Sequence, residues 1–240
     1  MSSRGLIESL DVPMTENQRQ KFIDLYSVDT TPLDDLAQAK VIKNTTIDRR
    51  LLIKRIKSAY DYLSSMSEGH SSFLNLIIEK IFVDESDVAA GGTTSDAVGV
   101  IWANPHPKFD DSDLAEFLVH EFTHNCMFID EWIHPHYDYS IMEDKSTWAL
   151  SAILDKMRPI DKVVHSLVVA AEIVLLRRHL LGEPTEPKAH PPSDMILHSI
   201  QTTVRDLQRV HNETGVLTDR TLELADIAYH KTQISSVAAQ

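Results

Sequence analysis

The stretch Asp111-Ser112-Asp113-Leu114-Ala115-Glu116-Phe117-Leu118-Val119-His120-Glu121-Phe122-Thr123-His124 decides how the rest of the chain is read. Asp111, Ser112 and Asp113 are N-cap candidates. Leu114, Phe117, Leu118 and Phe122 then recur at helical spacing, which predicts a helix to about Phe128. Residues four apart on a helix project from nearly the same face, so His120 and His124 can grip one metal ion. Glu121 stands between them in sequence. It can serve as a general base toward water, or orient the ligands from behind.

Outward from this helix the chain reads as mostly α. Ala89–Asp96, with Gly91-Gly92, is a loop and a candidate lid, though a plain loop is the simpler reading. Val98–Trp102 is short, β-rich and bounded by turn residues, which predicts a strand. Upstream, Thr15-Glu16-Asn17-Gln18 has the form of a capping box opening a helix to about Tyr26. Pro32 opens a second helix over Leu33–Ile42. Ile47–Met66 carries apolar residues every three or four positions, and Ser71–Val83 reads as a further helix or a buried apolar segment. Downstream, a helix is predicted over Glu143–Met157, stopped by Arg158-Pro159. Another runs from Pro159 to Leu181, stopped by Gly182. Pro184, Pro187, Pro191 and Pro192 mark a loop, and helices follow over Ser193–His211 and Thr218–Gln233. The end, Ser235–Gln240, reads as frayed. The expectation is a single helical domain over 1–240, mostly α, with a small β element before the HExxH helix in a zincin-like local arrangement. Residues 98–182 form the metal-site core, and 184–192 is a candidate internal linker before two C-terminal helices.

Composition narrows the function. The formal charge is −13, which argues against nucleic acid and anionic membranes as partners. Arg49, Arg50, Lys54, Arg55 and Lys57 run against this trend. They suit an acidic peptide, although a solvated helix face balanced by the protein's own acids is the plainer reading. Cys126 is the single cysteine, so no internal disulfide forms, which fits a reducing cytoplasm. It is expected to be a buried thiol turned away from the metal face. The N-terminus has no apolar run of a signal peptide, and the longest apolar run, Leu167–Leu176, is interrupted by Glu172. A soluble cytoplasmic protein is expected.

A metal site needs a third protein ligand. The extended three-histidine form of the motif wants glycine at 127 and histidine at 130, where this chain has Met127 and Asp130. His134-Pro135-His136 reads as a surface turn. His165 and Glu172 lie seven apart on one face of an otherwise apolar helix, and both are candidates. Their plain alternatives are a satisfied core histidine and an ion pair of Glu172 with Arg177 or Arg178. Trp102, Trp132 and Trp148 are candidates for a substrate pocket or for packing.

The order Leu118-Val119-His120-Glu121-Phe122-Thr123-His124, then Ala149-Leu150-Ser151-Ala152-Ile153, Arg158-Pro159-Ile160-Asp161 and Val164-His165-Ser166 resembles the HExxH-motif peptide-modification proteins. These are described as 2-oxoglutarate-dependent peptide β-hydroxylases of ribosomal-peptide pathways. Val98-Gly99-Val100-Ile101-Trp102-Ala103-Asn104-Pro105 is similar to that family's strand before the motif helix, so the resemblance spans about residues 98 to 182. It implies Fe(II) held by His120, His124 and, by position, His165, with 2-oxoglutarate as co-substrate. Arg158 can then pair with the distal carboxylate of 2-oxoglutarate. It also implies a peptide or amino-acid-like substrate hydroxylated in a biosynthetic pathway. Two other readings compete. One is a zinc metallopeptidase with Glu121 as general base and Glu172 as third ligand. The other is a non-catalytic helical binding protein with a vestigial motif.

Overall fold

In the computed structural model of the chain, residues 14–26, 49–87 and 89–234 are described, together with Leu6, Leu10 and Ile42. The helix expected over Leu33–Ile42, the first residues of Ile47–Met66 and the expected fraying of Ser235–Gln240 lie outside them. The described residues up to Phe128 make one compact unit and those from Ile129 a second.

The first unit opens with α1 (Glu16–Leu25), where the expected capping box is present. The Thr15 side chain accepts from the Gln18 N–H, and the Gln18 side chain accepts from the Thr15 N–H. Helix α2 (Arg50–Met66) buries Ile56, Ala59 and Leu63, and ends at Ser67, whose hydroxyl caps α3 (Glu68–Ile77). The segment Ser71–Val83 is therefore not one helix. Its last residues form the strand β1 (Lys80–Val83), parallel to β3 (Val100–Ala103). Ile81, Phe82 and Val83 are all buried, and a continuous apolar triplet suits a strand covered on both faces. Gly91–Gly92 is not plain loop but β2, antiparallel to β3, so the sheet order is β1-β3-β2. Phe82 and Trp102 pack with Ile23 and Ile42 in one apolar cluster.

The motif helix α4 (Asp111–Ile133) runs longer than predicted. Its cap is Asp110, one residue before the expected candidates. Asp110 Oδ1 accepts from the Asp113 N–H at 2.9 Å, and Asp113 Oδ2 accepts from the Asp110 N–H at 3.0 Å, a reciprocal cap. Helix α2 fastens the approach to α4. Arg55 donates to the carbonyls of Pro105, His106 and Phe109, and Ser58 donates to Asp111 at 2.6 Å. Arg55 is thus no part of a merely solvated basic face.

In the second unit the helix expected over Glu143–Met157 is absent. Asp144 caps a single 3-10 turn, Lys145–Thr147. β4 (Ala149–Leu150) then pairs antiparallel with β5 (Met157–Arg158), and Asp155 turns the chain with φ 48°. Helix α5 (Ile160–Leu176) is buried along most of its length, as its apolar sequence demands. It packs against α6 (Ser193–Thr214) and α7 (Asp219–Ile234). It continues as a π-helical turn over Arg177–Leu181 and stops at Gly182, where φ is 78°. The proline-rich 184–192 segment lies within this unit and does not separate it from the C-terminal helices. Among the described residues no helix is long and apolar enough to cross a membrane.

Candidate metal centre

Helix α4 is buried almost all round over Asp113–Val119 and opens at His120, so the motif begins where the helix emerges from the core. His120 and His124 are both half-buried. Their Nε2 atoms stand 3.1 Å apart and their ring centroids 4.8 Å apart, at an interplanar angle of 62°. Two nitrogens at that separation can both lie at the roughly 2.1 Å bond length of a first-row metal–imidazole contact. The expected pair is brought together.

Glu121 is 5% exposed, and its Oε1 lies 3.9 Å from His120 Nε2. Oε2 is buried without a hydrogen-bond partner among the described residues. Burial pushes this carboxyl up to about 8, while a hydrogen bond with the Thr93 side chain pulls the other way. An uncompensated buried carboxylate is costly, and a nearby cation is what would lower that cost. The imidazole pair and the orphaned carboxyl oxygen therefore fit a metal ion at this place.

Three neighbours were not singled out by sequence. Thr93, in the loop after β2, meets Glu121. Tyr26 donates its hydroxyl to the Val100 carbonyl at 3.1 Å. Its phenol is raised first by burial and then by the charge of Glu121. Asn125, fully buried, accepts the Gly99 N–H at 2.6 Å and donates to the Glu121 carbonyl at 2.9 Å. Only the upstream glycines and the amide one residue past the motif hinted at these contacts. Gly99 lies 26 residues from Asn125, and Val100 lies 74 from Tyr26.

The remaining candidates belong to the second unit. His165 is 6% exposed on α5, and burial first, then Lys162 and His136, lowers its pKa to about 3. It is a neutral imidazole, the form a metal accepts. Arg158 is half-buried at the end of β5, directly before α5. Glu172 is half-buried, but the expected pairing with Arg177 or Arg178 is not what those arginines do. Arg177 donates to the carbonyls of Pro191 and His190, and Arg178 to that of Thr232.

His136 corrects another expectation. It is fully buried, not on a surface turn, with Nε2 at 2.8 Å from Asp130 Oδ2. Its neighbour His134 is exposed. Trp102 is core and donates to the Asp84 carbonyl, Trp132 is 69% exposed, and Trp148 is half-buried under the Lys145 ammonium. Cys126 is half-buried, less enclosed than expected.

Among the described residues, no group of three or more His, Cys, Asp or Glu side chains is gathered closely enough to hold an ion. The converged donors are the pair on α4. Compared with known protein families and with curated proteins, the chain matches none.

Proposed function

We propose that the chain is a metal-dependent oxygenase that uses Fe(II) and 2-oxoglutarate to hydroxylate a peptide or amino-acid-like substrate. The observation that carries the metal assignment is the 3.1 Å approach of the two motif Nε2 atoms beside the buried Glu121 carboxyl. The choice of iron and 2-oxoglutarate rests on the resemblance across residues 98 to 182.

In this reading His120 and His124 hold the ion, and the resemblance supplies His165 as the third ligand by its position in the sequence. Bound Fe(II) would let O₂ oxidise 2-oxoglutarate and the substrate together, one oxygen atom entering the succinate formed with loss of CO₂ and the other replacing an unactivated C–H by C–OH. The protein's part is placement. His120 and His124 are fixed by consecutive turns of one helix, so neither can shift without the other. The buried His165 ring stays neutral and keeps a lone pair for coordination. Arg158 offers a planar, two-pronged donor for a carboxylate. Glu121 has a raised pKa, and Thr93 holds it on one side. It can carry a proton or stand as a fixed charge behind the histidines.

The test is anaerobic loading of the full chain with Fe(II) and 2-oxoglutarate. The expected signs are one iron per chain, a weak visible charge-transfer band on adding 2-oxoglutarate, and succinate once O₂ is admitted. Stoichiometric iron with neither band nor succinate would reject the oxygenase.

The buried Glu121 carboxyl beside the two motif histidines also suits a zinc metallopeptidase in which this residue, ionised, is the general base. Zinc loading followed by cleavage of a peptide pool, abolished in Glu121→Gln with zinc retained, would favour that reading.

A further inference from the structure

Within the first unit, residues 91–99 meet the motif helix α4 at three successive turns. Gly91 lies against the Phe117 ring, where even a Cβ would come within 2.4 Å of Cζ. The Thr93 side chain hydrogen-bonds Glu121. The Gly99 N–H donates to Asn125 at 2.6 Å. Phe117, Glu121 and Asn125 follow one another four residues apart, so they form one stripe along α4. His120 and His124 lie beside that stripe, within roughly 100° of helix rotation from Glu121.

Thr93 is held from both sides. Upstream, Gly91 and Gly92 pair with Ala103 and Trp102 in the sheet, and the Ala90 carbonyl accepts the Asn104 N–H at 2.7 Å. Downstream, Thr94 opens the 3-10 turn Ser95–Ala97. Its side chain accepts the Asp96 N–H at 3.3 Å, and its carbonyl accepts the Ala97 N–H at 3.1 Å. The half-buried threonine between them is also β-branched, and so stiff at χ1. Its hydroxyl is therefore a donor with a fixed place. Glu121 is the opposite case, a long side chain that loses rotamer freedom when it is held. Its Oε1 lies 3.9 Å from His120 Nε2, and its buried Oε2 has no hydrogen-bond partner among the described residues. A buried carboxyl with an unfilled acceptor gains by turning away unless something anchors it.

We infer that Thr93 is a positioning residue, whose hydroxyl anchors the Glu121 carboxyl beside His120 and through it sets the surroundings of a bound metal ion. The sheet pairing of β2 and the close approach at Gly91 bring the hydroxyl to the motif helix, and the Asn125 bond to Gly99 keeps the far end of the segment in place. This inference rests on the metal reading of the site and holds whether the ion serves an oxygenase or a peptidase.

The probe is Co(II), titrated onto the full chain, because its visible bands respond to the geometry and neighbours of its ligands. Thr93→Val keeps the shape of the side chain and removes the hydroxyl. It should displace the bands and lower Co(II) affinity by up to about tenfold. Thr93→Ser returns the hydroxyl and should restore most of both. In a Glu121→Met background, Thr93→Val should move the bands no further, because the carboxyl it anchors is gone. Circular dichroism checks that each variant is folded, and Thr93→Ala replaces Thr93→Val if that chain is not. Bands unchanged in the folded hydroxyl-free variant would overturn the inference and leave the metal centre standing. So would an equal further shift in the Glu121→Met background, since Thr93 would then act through the fold alone. Bands that survive His120→Ala would put the ion elsewhere, and a parent chain that takes up no Co(II) would sink the metal reading. Either result would overturn this inference as well.

Discussion

Asn125, the residue after the second motif histidine, accepts the backbone N–H of Gly99 at 2.6 Å and donates to the Glu121 carbonyl at 2.9 Å. One side chain thus ties the turn that carries the two motif histidines to the entry of β3. Gly99 has φ 88°, and its own carbonyl accepts the N–H groups of Glu79 and Lys80. Asn125→Ala would strand the Gly99 N–H in a buried place. A loss of about 1–3 kcal/mol is expected. Asn125→Asp keeps the acceptor and should recover part of that loss. Chemical denaturation of both variants checks the order. Equal stability of Asn125→Ala and the parent would show the bond to be idle.

Metal retention tests the proposed ligands against their neighbour. His120→Ala and His124→Ala each remove one of two converging nitrogens. Each should lower affinity for Fe(II) by more than about 100-fold, beyond what loss of an orienting neighbour produces. Glu121→Gln keeps the shape and removes the ionisable group, and should hold the ion within about tenfold of the parent while losing turnover. Elemental analysis after anaerobic loading and desalting reads both outcomes. If either alanine variant kept a full equivalent of metal, the ion would sit elsewhere.

The same helix explains what a sequence can and cannot tell. The heart of α4 was legible because its signals are local: an apolar stripe, then two imidazoles four apart. The α1 capping box was legible for the same reason. Residues 143–157 misled because helical spacing there is overruled at long range. The Leu150 N–H donates to Asp206 at 2.7 Å, and the Leu150 carbonyl accepts from Thr203 at 3.0 Å. Those partners lie more than fifty positions away and hold the segment extended. The strand inside Ser71–Val83 was hidden similarly, since its pairing partner begins at Val100. Thr93, Tyr26 and Asn125 carry no motif. They matter for where the fold delivers them.

Gly91 has a role that composition alone does not disclose. Its φ is 153°, and a Cβ there would lie 2.4 Å from both Phe117 Cζ and the Trp102 carbonyl oxygen. Phe117 belongs to α4, so this glycine lets β2 lie close over the motif helix. Gly91→Ala must displace a backbone atom as well as a ring. It is expected to cost about 2–4 kcal/mol from overpacking and backbone strain together. Gly92→Ala should cost less, since the nearest atom to a Cβ there is the Trp102 ring at 3.8 Å. Urea denaturation of the two variants gives the ranking, and the reverse order would refute the close-approach argument.

In the second unit Arg220 grips Asp130 with two bonds, Nε to Oδ2 at 3.0 Å and Nη2 to Oδ1 at 2.6 Å, while His136 meets Oδ2 at 2.8 Å. The Arg220 hydrogen bonds, aided by His136, lower the Asp130 carboxyl to about 2. A carboxyl whose pKa is depressed by folding adds stability above its unfolded value, near 4, and that stability drains away as pH falls through the folded value. The affected window is therefore about pH 4 down to pH 2, and the amount, after allowing for partial exposure, is about 1–2 kcal/mol. Arg220→Gln should remove most of it at neutral pH, and so flatten the decline between pH 4 and pH 2 relative to the parent. Equilibrium denaturation across that range measures both curves. If parent and variant declined in parallel, the acid sensitivity would have to come from carboxyls other than Asp130.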